Sequence, residues 1–137
     1  MPVTDDETIA EILETSETIA VVGCSSTPGK AAHDIPEYLL EAGYDVIPIN
    51  PFAETIFDRD AYDSLSAVPD RVDVVDVFRP SEEVPDIVEA ALEREDEPTI
   101  WLQKGITHDE SARNAEDAGR QFVQDRCMKV EHQRLLG

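Results

Sequence analysis

Short apolar runs alternate along the chain with segments whose apolar residues recur at helical spacing, the pattern of a parallel sheet covered on both faces. Thr4 and Glu7 form a capping box ahead of Ile9, Ile12 and Leu13, which predicts a helix over about Asp5–Thr15. Thr18-Ile19-Ala20-Val21-Val22-Gly23 is β-branched and apolar on both faces, as a central parallel strand is. After the loop Cys24–Gly29, a helix carries Ile35, Tyr38, Leu39 and Leu40; Pro36 fits only near its first turn, and Gly43 ends it. Tyr44–Ile49 is a second strand, stopped by Asn50-Pro51. Residues 52–70 lack a strong period beyond a short strand near Ile56-Phe57 and a helical turn at Ser64–Val68. The rest reads as a buried strand over Val72–Phe78, a helix from Ser81 to about Glu93, a strand over Thr99–Gln103, a helix over about Asp109–Ala118 and a last strand near Arg120–Val123. The expected architecture is a three-layer, Rossmann-like, doubly wound α/β sheet. It forms a single domain over 1–137, with an N-terminal helix within 1–17 and a C-terminal segment at 125–137.

Charge changes the picture of the surface. Thirty-one acids stand against eleven bases, a net charge of −20, and the lysines are Lys30, Lys104 and Lys129. The acids are spread over every helix rather than gathered in a tail, which reads as a solvated, salt-adapted surface rather than a site for a basic partner. With no basic face, nucleic acid is excluded as a partner. The first seventeen residues hold acids and no base, unlike a targeting peptide. The apolar runs are strand-sized, so no membrane span is expected. Cys24 and Cys127 make no Cys-x-x-Cys, which argues against a zinc site and a disulfide framework. Cytoplasmic location and no metal are the expectation.

In a doubly wound sheet the ligand lies beyond the carboxyl ends of the strands. There the chain places Gly23-Cys24-Ser25-Ser26-Thr27-Pro28-Gly29-Lys30, then Asn50-Pro51-Phe52, then Phe78-Arg79-Pro80, then Gln103-Lys104-Gly105. Small hydroxylated residues ahead of a helix start suit a pyrophosphate, because free backbone N–H groups and the helix dipole favour an anion. An ordinary strand-to-helix loop has the same composition. The P-loop pattern fails, since five residues separate Gly23 from Gly29 and Ala31 follows Lys30. The dinucleotide fingerprint fails as well, and Asn50-Pro51 stands where an NAD site carries an acid for the ribose.

Six pieces in order carry a more specific likeness. They are Gly23-x-Ser25 with Pro28 and Lys30; Val46-Ile47-Pro48-Ile49-Asn50-Pro51; Tyr62-x-Ser64-Leu65; Val72-Asp73-Val74-Val75-Asp76-Val77-Phe78-Arg79; Trp101-Leu102-Gln103-x-Gly105-Ile106; and Asp125-Arg126-Cys127. Together, from about Thr18 to Glu131, they resemble the small stand-alone CoA-binding domains, a family similar to the N-terminal CoA-binding domain of the succinyl-CoA synthetase α subunit. The resemblance implies CoA or acyl-CoA along the carboxyl edge. Gly23, Ser25, Ser26, Thr27, Pro28 and Lys30 would serve the phosphates, and Asn50, Pro51 and Phe52 the adenosine end. Phe78, Arg79, Leu102, Gln103 and Lys104 would complete the groove. Phe52 and Ala53 depart from the family, which commonly carries a lysine after its Asn-Pro pair; Lys104 replaces an acid of the synthetase-type domains.

Lys30, Arg79 and Lys104 all fall at expected carboxyl ends, where bases would offset the protein's negative charge for an anionic ligand; surface ion pairs are the alternative. The segment Arg126–Arg134 is basic and either closes over the ligand or packs on an acidic helix. No catalytic residue is assigned. His33 reads as a surface or capping residue, His108 as part of a helix start, and no Ser-His-Asp or Cys-His set is formed from local spacing. Cys24 reads as a small buried residue; a thiol activated by the helix start is the alternative. The expectation is a non-catalytic binding module with a small-molecule nucleotide ligand. A subunit of a CoA-dependent enzyme completed by a partner, an NAD(P)-binding sensor and a homodimer remain as alternatives.

Overall fold

Residues 2–137 are described by a computed structural model. Five parallel strands form the main sheet: β1 (Thr18–Val22), β2 (Asp45–Ile49), β5 (Val74–Val77), β6 (Thr99–Leu102) and β7 (Phe122–Val123). Their spatial order is β2-β1-β5-β6-β7. Counting these five alone, the order is 2-1-3-4-5, a doubly wound arrangement whose reversal lies between β1 and β5. A two-stranded antiparallel ribbon, β3 (Thr55–Ile56) and β4 (Arg59–Asp60), stands beside it.

Alternation along the strands sorts the core into two faces. Ala20, Val22, Ile47, Ile49, Val75, Val77, Ile100, Leu102 and Phe122 pack with α3 (Val84–Leu92), α4 (Asp109–Asp117) and the 3-10 turn Leu65–Ala67. Ile19, Val21, Val46, Val74, Trp101 and Val123 pack with α1 (Asp6–Thr15), α2 (Ala31–Glu41) and α5 (Met128–Leu135). Asp76 shares the parity of Val74, so its carboxyl enters the second face, fully buried. Among the described residues, no helix is long and apolar enough to cross a membrane.

Several local expectations are corrected. Asp5, not Thr4, caps α1, its carboxylate accepting from Thr8 N–H at 2.9 Å. Phe57 is not in a strand: Phe57 and Asp58, with φ of 58° and 60°, form the turn of the ribbon, and β4 follows. That turn needs two left-handed residues, and neither is the glycine that would have announced it. Pro36 lies beyond the first turn of α2. Without a Pro36 N–H the Ala32 carbonyl loses its helical donor, and Ser25 N–H supplies the replacement at 3.0 Å. The proline therefore couples the helix to the loop before it.

The C-terminal segment forms a helix, and it packs on the acidic N-terminal one. Arg134 donates to both Asp6 oxygens at 3.0 and 2.7 Å and also to Glu131. Other bases staple loops far from the carboxyl edge. Arg94 donates to the carbonyls of Leu65, Val68 and Asp70, and Arg120 to those of Ala91, Leu92 and Arg94.

Candidate functional site

The loops after β1 and β5 leave in opposite directions, and a groove of about 420 Å³ opens between them. Its lining brings together Gly23, Asn50, Pro51, Phe52 and Arg79, from three separate strand ends, with Ser64, Ser66, Ile87 and Ala90 on the far side. Gly23 has φ 86°, and a Cβ there would lie 2.7 Å from Arg79 Cδ. The missing side chain is what lets the arginine stem cross the floor.

Asn50 joins two loops. Its Nδ2 donates to Cys24 O at 3.0 Å, while its Oδ1 accepts from Phe52 N–H at 2.8 Å. Arg79 Nε and an Nη donate to the two Glu83 oxygens at 3.1 and 2.7 Å. That hydrogen bonding holds the Glu83 carboxyl below its ordinary range and raises the guanidinium. Asp63, Glu83 and Asp86 also line the groove, so Arg79 is outnumbered by carboxylates.

Only Gly23 of the loop Gly23–Lys30 lines the groove. The expectation of several free loop N–H groups is narrowed. Ser25 N–H is held by Ala32 O, Thr27 N–H by Ser25 Oγ at 3.1 Å, and Gly29 N–H by Asp34 Oδ1 at 3.1 Å. Lys30 N–H reaches Thr27 O at 3.4 Å, and Pro28 has no N–H to give. Among the described residues Ser26 N–H keeps no partner, and Ala31 and Ala32 open α2 with N–H groups that have no intrahelical acceptor. Ser26, Thr27, Pro28 and the Lys30 side chain are exposed beside these donors. Asp34 also stands at this helix start, its carboxyl lowered by hydrogen bonds from His33 and then Gly29.

Of the residues expected to complete the groove, Arg79 lines it, whereas Phe78, Leu102, Gln103 and Lys104 do not. Leu102 is fully buried in the core. Gln103 is also buried, and its Nε2 donates to Asp76 Oδ1 at 2.6 Å while its Oε1 accepts from Met128 N–H at 3.4 Å. Lys104 lies at the β6–β7 end, 4.0 Å from Asp125, on a separate groove of about 720 Å³. Phe78 is half-buried against the α1–α2–α5 face.

Cys24 is buried, and burial first, then the Asp76 charge, pushes its thiol up to about 12, the opposite of activation. Burial likewise raises Asp76 to about 7 against a lowering contribution from Gln103, and among the described residues its Oδ2 has no partner. His33 is buried rather than on the surface, its ring 4.9 Å from that of Phe57. His108 does cap a helix, its Nδ1 accepting from Ser111 N–H at 3.1 Å. Among the described residues no cluster of His, Cys, Asp or Glu is arranged for a metal ion.

Sequence reasoning missed Asp63, Ser66, Asp86, Ile87 and Ala90 as groove residues. Ile87 and Ala90 carried no distinctive signal, since they lie on a largely apolar helix beside the buried Val88 and Ala91.

Known proteins share the sequence pattern and the fold of this chain. Residues 17–133 match the family described as CoA binding domain. The uncharacterized protein YneT of Bacillus subtilis (strain 168) is 38% identical over 124 residues, 90% of this chain and 91% of that protein. The solved structure of a hypothetical protein from Pyrococcus horikoshii OT3 superposes with TM-score 0.92 at 38% identity, covering 100% of this chain and 97% of that one. The ADP-forming acetate–CoA ligase II of Archaeoglobus fulgidus is 27% identical over 95 residues, 68% of this chain but 14% of the ligase.

Proposed function

Because the chain belongs to the CoA-binding domain family, we propose that it is a non-catalytic module for CoA or acyl-CoA, with the diphosphate at the start of α2 and the nucleoside in the β1–β5 groove. The observation that carries this reading is the position of the groove. It opens at the strand-order reversal and is built by Gly23, Asn50 and Arg79 from three strand ends. Doubly wound sheets bind nucleotides at that point. Ser26 N–H and the first N–H groups of α2 supply donors for an anion, with the helix dipole behind them. Lys30 serves as a second cation, so Gly23, Ser25, Ser26, Thr27, Pro28, Lys30, Asn50, Pro51, Phe52 and Arg79 form the proposed contact set. Phe78, Leu102, Gln103 and Lys104 leave it.

Titration of CoA in high salt tests the proposal by thermal shift. At 100 times its dissociation constant, CoA stabilises the native state by about 2.7 kcal/mol. A Ser26→Glu variant places a carboxylate where the phosphate sits and lowers affinity at least about tenfold while circular dichroism stays unchanged. Absence of a shift with CoA beside a clear shift with NAD(P)H sinks the proposal.

A second reading makes the chain one component of a CoA-dependent enzyme. It is favoured by the ligase likeness, in which this domain corresponds to a small part of a larger protein. Recovery of the native protein in a stable complex with a larger ligase-type subunit supports that reading, and recovery alone removes it.

A further inference from the structure

Phe52 is 96% exposed at the mouth of the groove. A phenyl ring left in water forfeits the burial that ordinarily repays a large apolar side chain. Its backbone is nonetheless held, since Phe52 N–H donates to Asn50 Oδ1 and Asn50 Nδ2 ties that turn to Cys24 O. The ring therefore stands on a fixed base beside an open cavity, as a stacking platform does.

Charge bears on what part of a nucleotide the groove takes. Arg79 is the one base among its described lining residues, beside Asp63, Glu83 and Asp86, and two of its donors already serve Glu83. A phosphomonoester dianion finds no unengaged cation there, whereas a neutral aminopurine meets acceptors for its amino group and an aromatic face. Resting on the CoA-binding reading above, we infer that Phe52 stacks on the adenine ring and that specificity is set at the base, so the 3′-phosphate of CoA adds little and dephospho-CoA is an equivalent ligand.

Calorimetry on the intact protein with CoA and with dephospho-CoA reads this directly. Both bind within about fivefold of each other, the scale of one exposed ionic contact. Phe52→Ala weakens both by roughly ten- to a hundredfold, the usual loss for one stacked base. Phe52→Trp keeps the affinity and its new fluorescence is quenched on binding, against the constant background of fully buried Trp101.

CoA binding more than about tenfold tighter than dephospho-CoA, the scale of a charge-assisted contact, overturns the inference. So does unchanged affinity in Phe52→Ala. Sedimentation adds a control: if the parent is a dimer, and Phe52→Ala is a monomer with unchanged CoA affinity, the ring is a subunit contact and the inference fails while CoA binding stands. If the parent binds neither nucleotide, the function proposed above falls, and this inference with it.

Discussion

The two grooves on the carboxyl edge differ in a way that volume does not reveal. The β6–β7 groove is the larger, about 720 Å³ against 420 Å³. Its polar groups, however, are engaged in the protein's own contacts. Val3 N–H donates to Phe122 O at 2.8 Å, Arg126 donates to Thr4 O at 3.2 Å and pairs with Glu131, and Lys104 lies by Asp125. The β1–β5 groove lies where the chain turns in opposite directions from adjacent strands, and its residues are fixed in place by Asn50 without filling it. A parallel sheet leaves a crevice wherever its winding reverses, and elsewhere covers its edge with the next connection.

The largest expected effect concerns the carboxyl buried between the two regions. Asp76 is held through Gln103 to the start of α5. Burial lifts its folded pKa to about 7, well above the ordinary carboxylate range. The folded state therefore prefers the protonated acid. Its contribution is complete below about pH 4, falls as pH rises to about 7, and is constant above that. Asp76→Asn flattens this slope and raises stability at pH 8 by up to a few kcal/mol, at about 1.4 kcal/mol per pKa unit. Denaturant titrations between pH 4 and 8 check it; a parent whose stability is flat across that window contradicts the protonated carboxyl.

Next in size is Gly23→Ala in the first groove. A left-handed φ and a Cβ 2.7 Å from Arg79 Cδ together cost about 1–3 kcal/mol. Displacing the Arg79 stem also weakens CoA. Parent-like melting with parent-like affinity would remove Gly23 from the floor of the site.

The smallest effect separates the grooves most directly. Arg79→Ala leaves Glu83, Asp63 and Asp86 without a counter-charge and lowers CoA affinity about fivefold, a partly solvated ionic contribution. Lys104→Ala, at the other groove, leaves it unchanged. Equal losses in the two variants would mean that the ligand spans both grooves.

Most strands of the main sheet were legible as short β-branched runs, and α1, α2 and α3 because their apolar residues recur at three and four; β4 and the helical form of the C-terminal segment were not. Gly23 and Asn50-Pro51 announced the ends of β1 and β2 by their chemistry. The missed features share another origin. The Phe57–Asp58 turn adopts positive φ without glycine. Pro36 is accommodated because a residue from another segment, Ser25, takes the orphaned carbonyl. Gln103 follows the last residue of β6 yet turns inward to Asp76, a partner 27 residues away.

By itself, then, the sequence determined the alternation of strands and helices, the net charge of −20, the glycine at the first turn and the family to which the chain belongs. These are properties of local spacing and composition, written in neighbouring residues. Only the tertiary structure decided which strand ends face one another, and with that, that Arg79 shares a groove with Gly23 and Asn50 while Lys104 does not. It also decided that the loop's N–H groups are mostly spent internally and that Asp76 is a buried acid. Strand order and side-chain partnership depend on contacts between residues far apart in the chain, and no local periodicity records them.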